Sequence, residues 1–158
     1  IHGGGLGPSM TGGKLAGETI AEALEKDDVS REGLWQYNVR YMRVHGAKHA
    51  GLDIFRLFLL QSVTNEDINY GLKYNLITEE DVLKVSMGEN LRLNITEKTW
   101  RALKGLGKLS LLRRLRDTAH LIKKMKTLYL NYPSSPEDFE DWKQKTHQII
   151  EEAKRRLS

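Results

Sequence analysis

The 158-residue chain contains no cysteine. This excludes a disulfide framework, a thiolate nucleophile, an iron–sulfur cluster and any Cys-based zinc site, and makes a reducing, cytoplasmic setting the simplest expectation. Long apolar runs are missing too. The longest, Leu52 to Val63, is interrupted by Asp53, Arg56, Gln61 and Ser62, and falls short of the roughly 20 residues of a membrane-spanning helix. Repeats, low-complexity tracts and alternating strand patterns are absent, so the chain reads as mainly α. Ile1-His2-Gly3 has neither the basic start nor the apolar run of a secretion signal. The chain therefore reads as a piece of something longer.

Acidic residues become scarce toward the end. Residues 1–97 carry 10 basic and 14 acidic side chains, whereas 98–158 carry 15 and 7. Between 98 and 126, ten Lys and Arg are opposed only by Asp117. A polyanion, an anionic membrane surface or a phosphorylated substrate could use such a patch.

Glycine is equally uneven, with half of the 14 in the first 17 residues. A helix is expected over Gly7 to Glu25, with Pro8 at its first position and Lys26-Asp27-Asp28 ending it. Ser30 is placed to cap a second helix carrying Leu34, Trp35, Tyr37, Tyr41, Met42 and His45, with a change of pattern near Gly46 and Gly51. Leu52 to Leu60 is apolar on most sides and predicts a buried helix. Thr64 with Asp67 and Thr78 with Asp81 resemble capping boxes for short helices near 65–75 and 79–87. Gly88 then stops the chain, Asn90 to Asn94 looks extended, Thr96 can cap a helix with Trp100 and Leu103, and Gly105 and Gly107 mark a turn. Lys108 to Leu130 predicts an amphipathic basic helix with Leu112, Leu115, Ala119, Ile122 and Tyr129 in one stripe. Tyr132-Pro-Ser-Ser-Pro136 breaks it, and Ser135 starts a last helix through Phe139, Trp142, Thr146, Ile149 and Ala153.

The string Ile1-His2-Gly3-Gly4-Gly5-Leu6-Gly7-Pro8 feeds a glycine run straight into a helix start. Such a run permits close backbone approach, and the new helix offers free N–H groups and the positive end of its dipole. It matches neither a Walker loop nor a complete Gly-x-Gly-x-x-Gly fingerprint.

Gly3-Gly-Gly-Leu-Gly-Pro-Ser-Met10, followed by Gly13-Lys-Leu-Ala-Gly-Glu-Thr-Ile-Ala-Glu-Ala23, resembles the second flavin-contacting motif of the geranylgeranyl reductase family, within the flavoproteins similar to para-hydroxybenzoate hydroxylase. The later aromatic and apolar helices are similar to that family's C-terminal helical region. The resemblance implies that Gly3, Gly4, Gly5, Leu6 and Gly7 contribute backbone contacts to FAD, whose negative charge on reduction the helix N-terminus would stabilise. It also implies hydride delivery from reduced FAD to isoprenoid double bonds of geranylgeranyl lipids, as in archaeal-type membrane lipid synthesis. The dinucleotide-binding fingerprint, the Gly-Asp stretch and the aromatic substrate motif of the family are not in these residues. The chain alone is therefore expected to be inactive, needing an upstream FAD-binding domain and an external electron donor such as NADPH, ferredoxin or a deazaflavin. His2 stands where it could tune the flavin.

These readings give a domain plan of residues 1–28, the glycine loop and helix ending an incomplete FAD-binding domain, and 29–158, a helical C-terminal domain. Phe55, Leu59 and Tyr41 are candidates for contact with the lipid chain, although core packing explains the same pattern. Trp35 and Tyr37 carry the same ambiguity. Arg113, Arg114, Arg116, Lys123 and Lys124 are candidates for an anionic partner or a membrane surface, with a solvated helix flank as the plain alternative and nucleic acid the least favoured. His45, His49 and Asp53 share a helical spacing, but the sequence around them lacks the His-Glu-x-x-His pattern, and no metal site is expected. The competing reading is a stand-alone helical module for an anionic partner.

Overall fold

The computed structural model describes residues 5–73, 78–86 and 109–157. Every regular element among them is helical. His2, Gly3, Gly4, the features expected at Gly88 and 90–107, and the four cations of 98–108 lie outside the described residues.

Helix α1, Leu6–Glu25, starts one residue earlier than expected, with Gly5 as its N-cap. Pro8 thus occupies the third helical position, where its missing N–H still lies among those with no intrahelical acceptor. The helix ends as expected at Lys26, and Asp27, at φ 53°, takes the left-handed conformation usually given to glycine. The Asp27 N–H donates to Leu24 O and the Asp28 N–H to Ala23 O at 3.1 and 2.9 Å, the paired bonds of a Schellman turn.

Ser30 caps α2, Arg31–Leu34, by accepting from the Gly33 N–H at 3.2 Å, and donates its own proton to Asp28. α3, Gln36–Tyr41, then continues through a π-helical turn, Met42–Gly46, into α4, Ala47–Gln61. Gly46 and Gly51 therefore do not interrupt the helix. A Cβ at Gly51 would lie 3.1 Å from the Lys126 stem and 3.4 Å from Ile122 of a neighbouring helix, and one at Gly46 would run into the Met42 sulfur of its own helix, with the Tyr129 ring at 3.3 Å.

α5, Asn65–Lys73, opens on the expected capping box, Thr64 accepting from the Asp67 N–H and donating to its carboxylate at 3.2 and 2.9 Å. α6 spans Glu79–Ser86. The basic helix is α7, Leu109–Leu130, and α8, Phe139–Leu157, follows a 3-10 turn at Pro136–Asp138 capped by Ser135. Helices α4, α7 and α8 form the main core, around Phe58, Leu115, Leu121, Ile122, Ala153 and Leu157. Leu60, on a helix expected to be buried, is 84% exposed. One side of α4 faces solvent at its end, which the apolar string did not indicate.

A second cluster joins α2 to the α7–α8 connection. Trp35 stacks on Tyr132 at 5.8 Å, and Tyr132 and Tyr129 meet Trp142 edge-on at 4.8 and 4.9 Å. Both indole N–H groups are satisfied, Trp35 by Pro133 O and Trp142 by Leu128 O, as buried Trp requires. Burial, and then the charge of Asp53, hold the Tyr129 phenol above its ordinary value.

Helix α1 is tied to α3 by Arg40 donating to Glu22 at 2.7 Å, and this hydrogen bond is the main reason the Glu22 carboxyl lies below its ordinary 4.5. A depressed carboxylate stabilises the fold above its unfolded value and loses that contribution as pH falls through the folded one. Glu22→Gln is expected to flatten the acid limb of a melting-temperature profile below pH 4.5. Parallel loss in wild type and variant would mean that the pair contributes nothing.

Candidate functional site

The N-terminus of α1 is open. Gly5 offers no side-chain cap, no acidic residue lies in the first turn, and among the described residues nothing stands within 4 Å of where a Cβ would be at Gly5 or Gly7. With Pro8 lacking an N–H, the amides of Leu6 and Gly7 are the inner donors of this end, while Ser9 N–H is taken by Gly5 O at 3.0 Å. Donors without intrahelical acceptors at the positive end of a dipole suit an anion or an electron-rich ring edge.

Helix α1 has two apolar faces. Gly12, Thr19 and Ala23 are buried toward α3, where a Cβ at Gly12 would meet the Tyr41 ring at 3.4 Å and the Tyr37 hydroxyl at 3.5 Å. The other face runs Leu6, Met10, Gly13, Gly17, Ile20, Leu24, alternating steps of four and three, the spacing of a helix–helix seam. Among the described residues nothing covers it: Leu6, Met10 and Leu24 are 76, 69 and 64% exposed, and Gly13 and Gly17 have no described neighbour within 4 Å of a built Cβ. The helix expected over Gly7 to Glu25 did not by itself indicate this second line.

Tyr37, Tyr41, His45 and His49 follow one another along one side of α3, the π turn and the start of α4, with ring centroids 5.9, 5.5 and 6.1 Å apart, the first pair stacked and the others tilted. Such π turns recur at functional positions. His45 Nε2 is buried here and has no hydrogen-bond partner among the described residues. Among the described residues no group of three or more His, Asp or Glu side chains gathers where a metal could be held. Asp53 instead pairs with Arg56 at 2.8 Å.

Phe55 and Leu59 come together, and Tyr41 does not join them. They line a cavity of about 460 Å³ between α4, α5 and α7, with Phe58, Ile68, Leu111 and Leu115 among its other walls. Tyr41 lies 14 residues before Phe55 on the continuous helix, about 21 Å along the axis. Of the proposed anion contacts, Arg113, Arg116, Lys123 and Lys124 are exposed. Arg114 is engaged within the fold, donating to Ser62 O at 2.5 Å.

The class is thus a helical unit whose leading helix presents open amides at its tip and an apolar seam along its length that no described residue covers. Over its whole length the chain is 44% identical to a digeranylgeranylglycerophospholipid reductase of Sulfolobus acidocaldarius, covering 35% of that protein. It is 35% identical over 93 residues to digeranylgeranylglycerophospholipid reductase 2 of Methanopyrus kandleri, and 34% identical over 98 residues to the corresponding reductase of Methanothrix thermoacetophila. These matches cover 58 and 60% of this chain, and 22 and 24% of the two relatives. No protein-family model matches. The chain belongs to the geranylgeranyl reductase family and corresponds to its C-terminal part. It spans about a third of the length of the Sulfolobus relative.

No helix among the described residues is long and apolar enough to cross a membrane.

Proposed function

We propose that this chain is the C-terminal part of an FAD-dependent reductase of geranylgeranyl lipids, with residues 1–28 completing a flavin-binding domain and 29–158 forming a helical cover. The observation that carries this reading is the 44% identity over all 158 residues. The open tip of α1 fits the cofactor, since side-chain-free Gly5 and Gly7 leave room for a ring edge and the amides of Gly5, Leu6 and Gly7 supply donors. Gly3 and Gly4 extend the same run. When bound, the flavin supplies a hydride for an isoprenoid double bond. The chain's own contribution is to hold the ring edge by backbone donors, to place dipole charge where negative charge accumulates, and to exclude water with apolar walls. Tyr41, packed against Gly12 about 10 Å down α1 from its tip, braces the helix that carries those donors. Phe55 and Leu59 offer the lipid chain an apolar wall, and the enzyme works at the edge of a membrane.

The bare seam of α1 supports the missing partner: a helix with two apolar faces is built to lie between two layers, and Gly13 and Gly17 let a second backbone come close. In the 158-residue chain Gly13→Ala and Gly17→Ala are each expected to raise stability by up to about 1 kcal/mol, through helix propensity in open space. Gly17→Leu in the longer protein is expected to weaken flavin retention. A flavin content unchanged by Gly17→Leu would show the seam uncovered there too.

The test of the whole reading is a chimaera in which this chain replaces the matching C-terminal part of the Sulfolobus relative. It is expected to purify yellow, to bleach on anaerobic reduction and to be reoxidised by a geranylgeranyl phospholipid. A folded, colourless chimaera, or reduced flavin indifferent to the lipid, would overturn it.

A further inference from the structure

We propose that the exposed ridge of α7, continued by the last turn of α8, seats the protein on an anionic lipid bilayer. Arg113, Arg116, His120 and Lys123 follow at steps of three, four and three, so they share one side of α7 over about 15 Å, and all four are exposed. The two helix ends are held side by side through Ser62, whose carbonyl accepts from Arg114 and whose hydroxyl donates to Leu157 O. This brings the cations of the last turn, Lys154, Arg155 and Arg156, to the start of the ridge.

Few carboxylates neutralise it. Over 109–126 and 151–157, nine Lys and Arg stand against three acids. Glu152 is shared by Lys124 and Arg156 at 2.6 and 2.8 Å, Glu151 takes Lys154 at 2.7 Å, and Asp117 lies 3.4 Å from Arg116. Arg113, Lys123 and Arg155 have no ion-pair partner among the described residues. Cations left unpaired along one line of a rigid helix match a plane of phosphates, each adding to attraction at a surface. Exposed Leu130 closes the line with an apolar side chain, the kind that enters the headgroup boundary. No Trp, Tyr or Phe stands on the ridge to stack on bases, which argues against single-stranded nucleic acid. The preference for a bilayer over nucleic acid also rests on the reductase reading; the charge ridge does not.

Removing one such charge is expected to weaken binding about fivefold. The experiment is sedimentation of the chain with vesicles of phosphatidylcholine containing phosphatidylglycerol, against phosphatidylcholine alone. Binding is expected on the anionic vesicles only, falling with added salt and reduced at least 100-fold by combining Arg113→Glu, Lys123→Glu and Arg155→Glu. These residues are exposed, so an unchanged melting curve is the folding control, and Lys14→Glu on α1 is expected to leave binding unaltered. Equal binding to neutral vesicles, no binding to either, an unaffected triple variant, release by inorganic phosphate at matched ionic strength, or tighter binding to a duplex oligonucleotide would each overturn the proposal. Flavin retention by the chimaera judges the reductase reading separately.

Discussion

Phe58→Ala is expected to lower the unfolding free energy by about 3–5 kcal/mol, the usual range for a buried aromatic truncation. Phe58 is 1% exposed on α4, inside the cluster that joins α4, α7 and α8. The cost depends on whether neighbours can close over the void. Here they start from a cavity of about 460 Å³ that Phe58 already borders, so truncation enlarges an existing gap rather than opening one that side chains can refill. Leu60→Ala, two residues on but facing solvent, should change stability by less than about 0.5 kcal/mol. Denaturant unfolding of the two variants checks both. A loss under about 1 kcal/mol for Phe58→Ala would mean that the core collapses around the site.

Gly33→Ala is expected to cost about 2–4 kcal/mol, from forced overpacking and the loss of a helix cap. A Cβ built on Gly33 points at the backbone carbonyl of Asp28, which is closer than any real contact permits, and at the Asp28 side chain, 2.7 Å away. Backbone cannot step aside as a flexible side chain can. Relief requires opening the turn that holds the Schellman bonds of Asp27 and Asp28 and the Ser30 cap together, so α1 would loosen from α2 and α3. The expected signature is a lower melting temperature with faster amide exchange in α1 than in α7. A variant that melts with the wild type would show that this turn has room. The contrast with Gly13→Ala, expected to stabilise the same chain, tests whether surroundings rather than residue type decide the sign.

Much of the fold was legible in the residues because local chemistry decides it. The Ser30, Thr64 and Ser135 caps act within three residues of themselves, and the α8 stripe of Trp142, Thr146, Ile149 and Ala153 faces inward at its helical spacing. Gly46 and Gly51 were read as a change of pattern because a glycine in a helix costs propensity. The structure keeps the helix through them, since α7 lies against those bare positions and packing outweighs propensity. Leu60 shares the apolar string of its neighbours, which predicts burial, yet it faces solvent. The same limit applies to the candidate site. Phe55, Leu59 and Tyr41 have equally suitable apolar or aromatic side chains for a lipid chain, and only their positions along a continuous helix separate Tyr41 from the other two.

By itself, the sequence determined the helical class, the caps, the basic character of α7 and, through the pattern from Gly3 to Gly17, the family. These depend on spacing along one chain or on residues in a short string. Only the tertiary structure decided that α1 buries Gly12, Thr19 and Ala23 while leaving a second seam bare. It also decided that Arg114 turns inward to Ser62 while Arg113 and Lys123 stay exposed. Those outcomes depend on which helix lies across which, and on whether a neighbouring backbone offers an acceptor, and no periodicity encodes that.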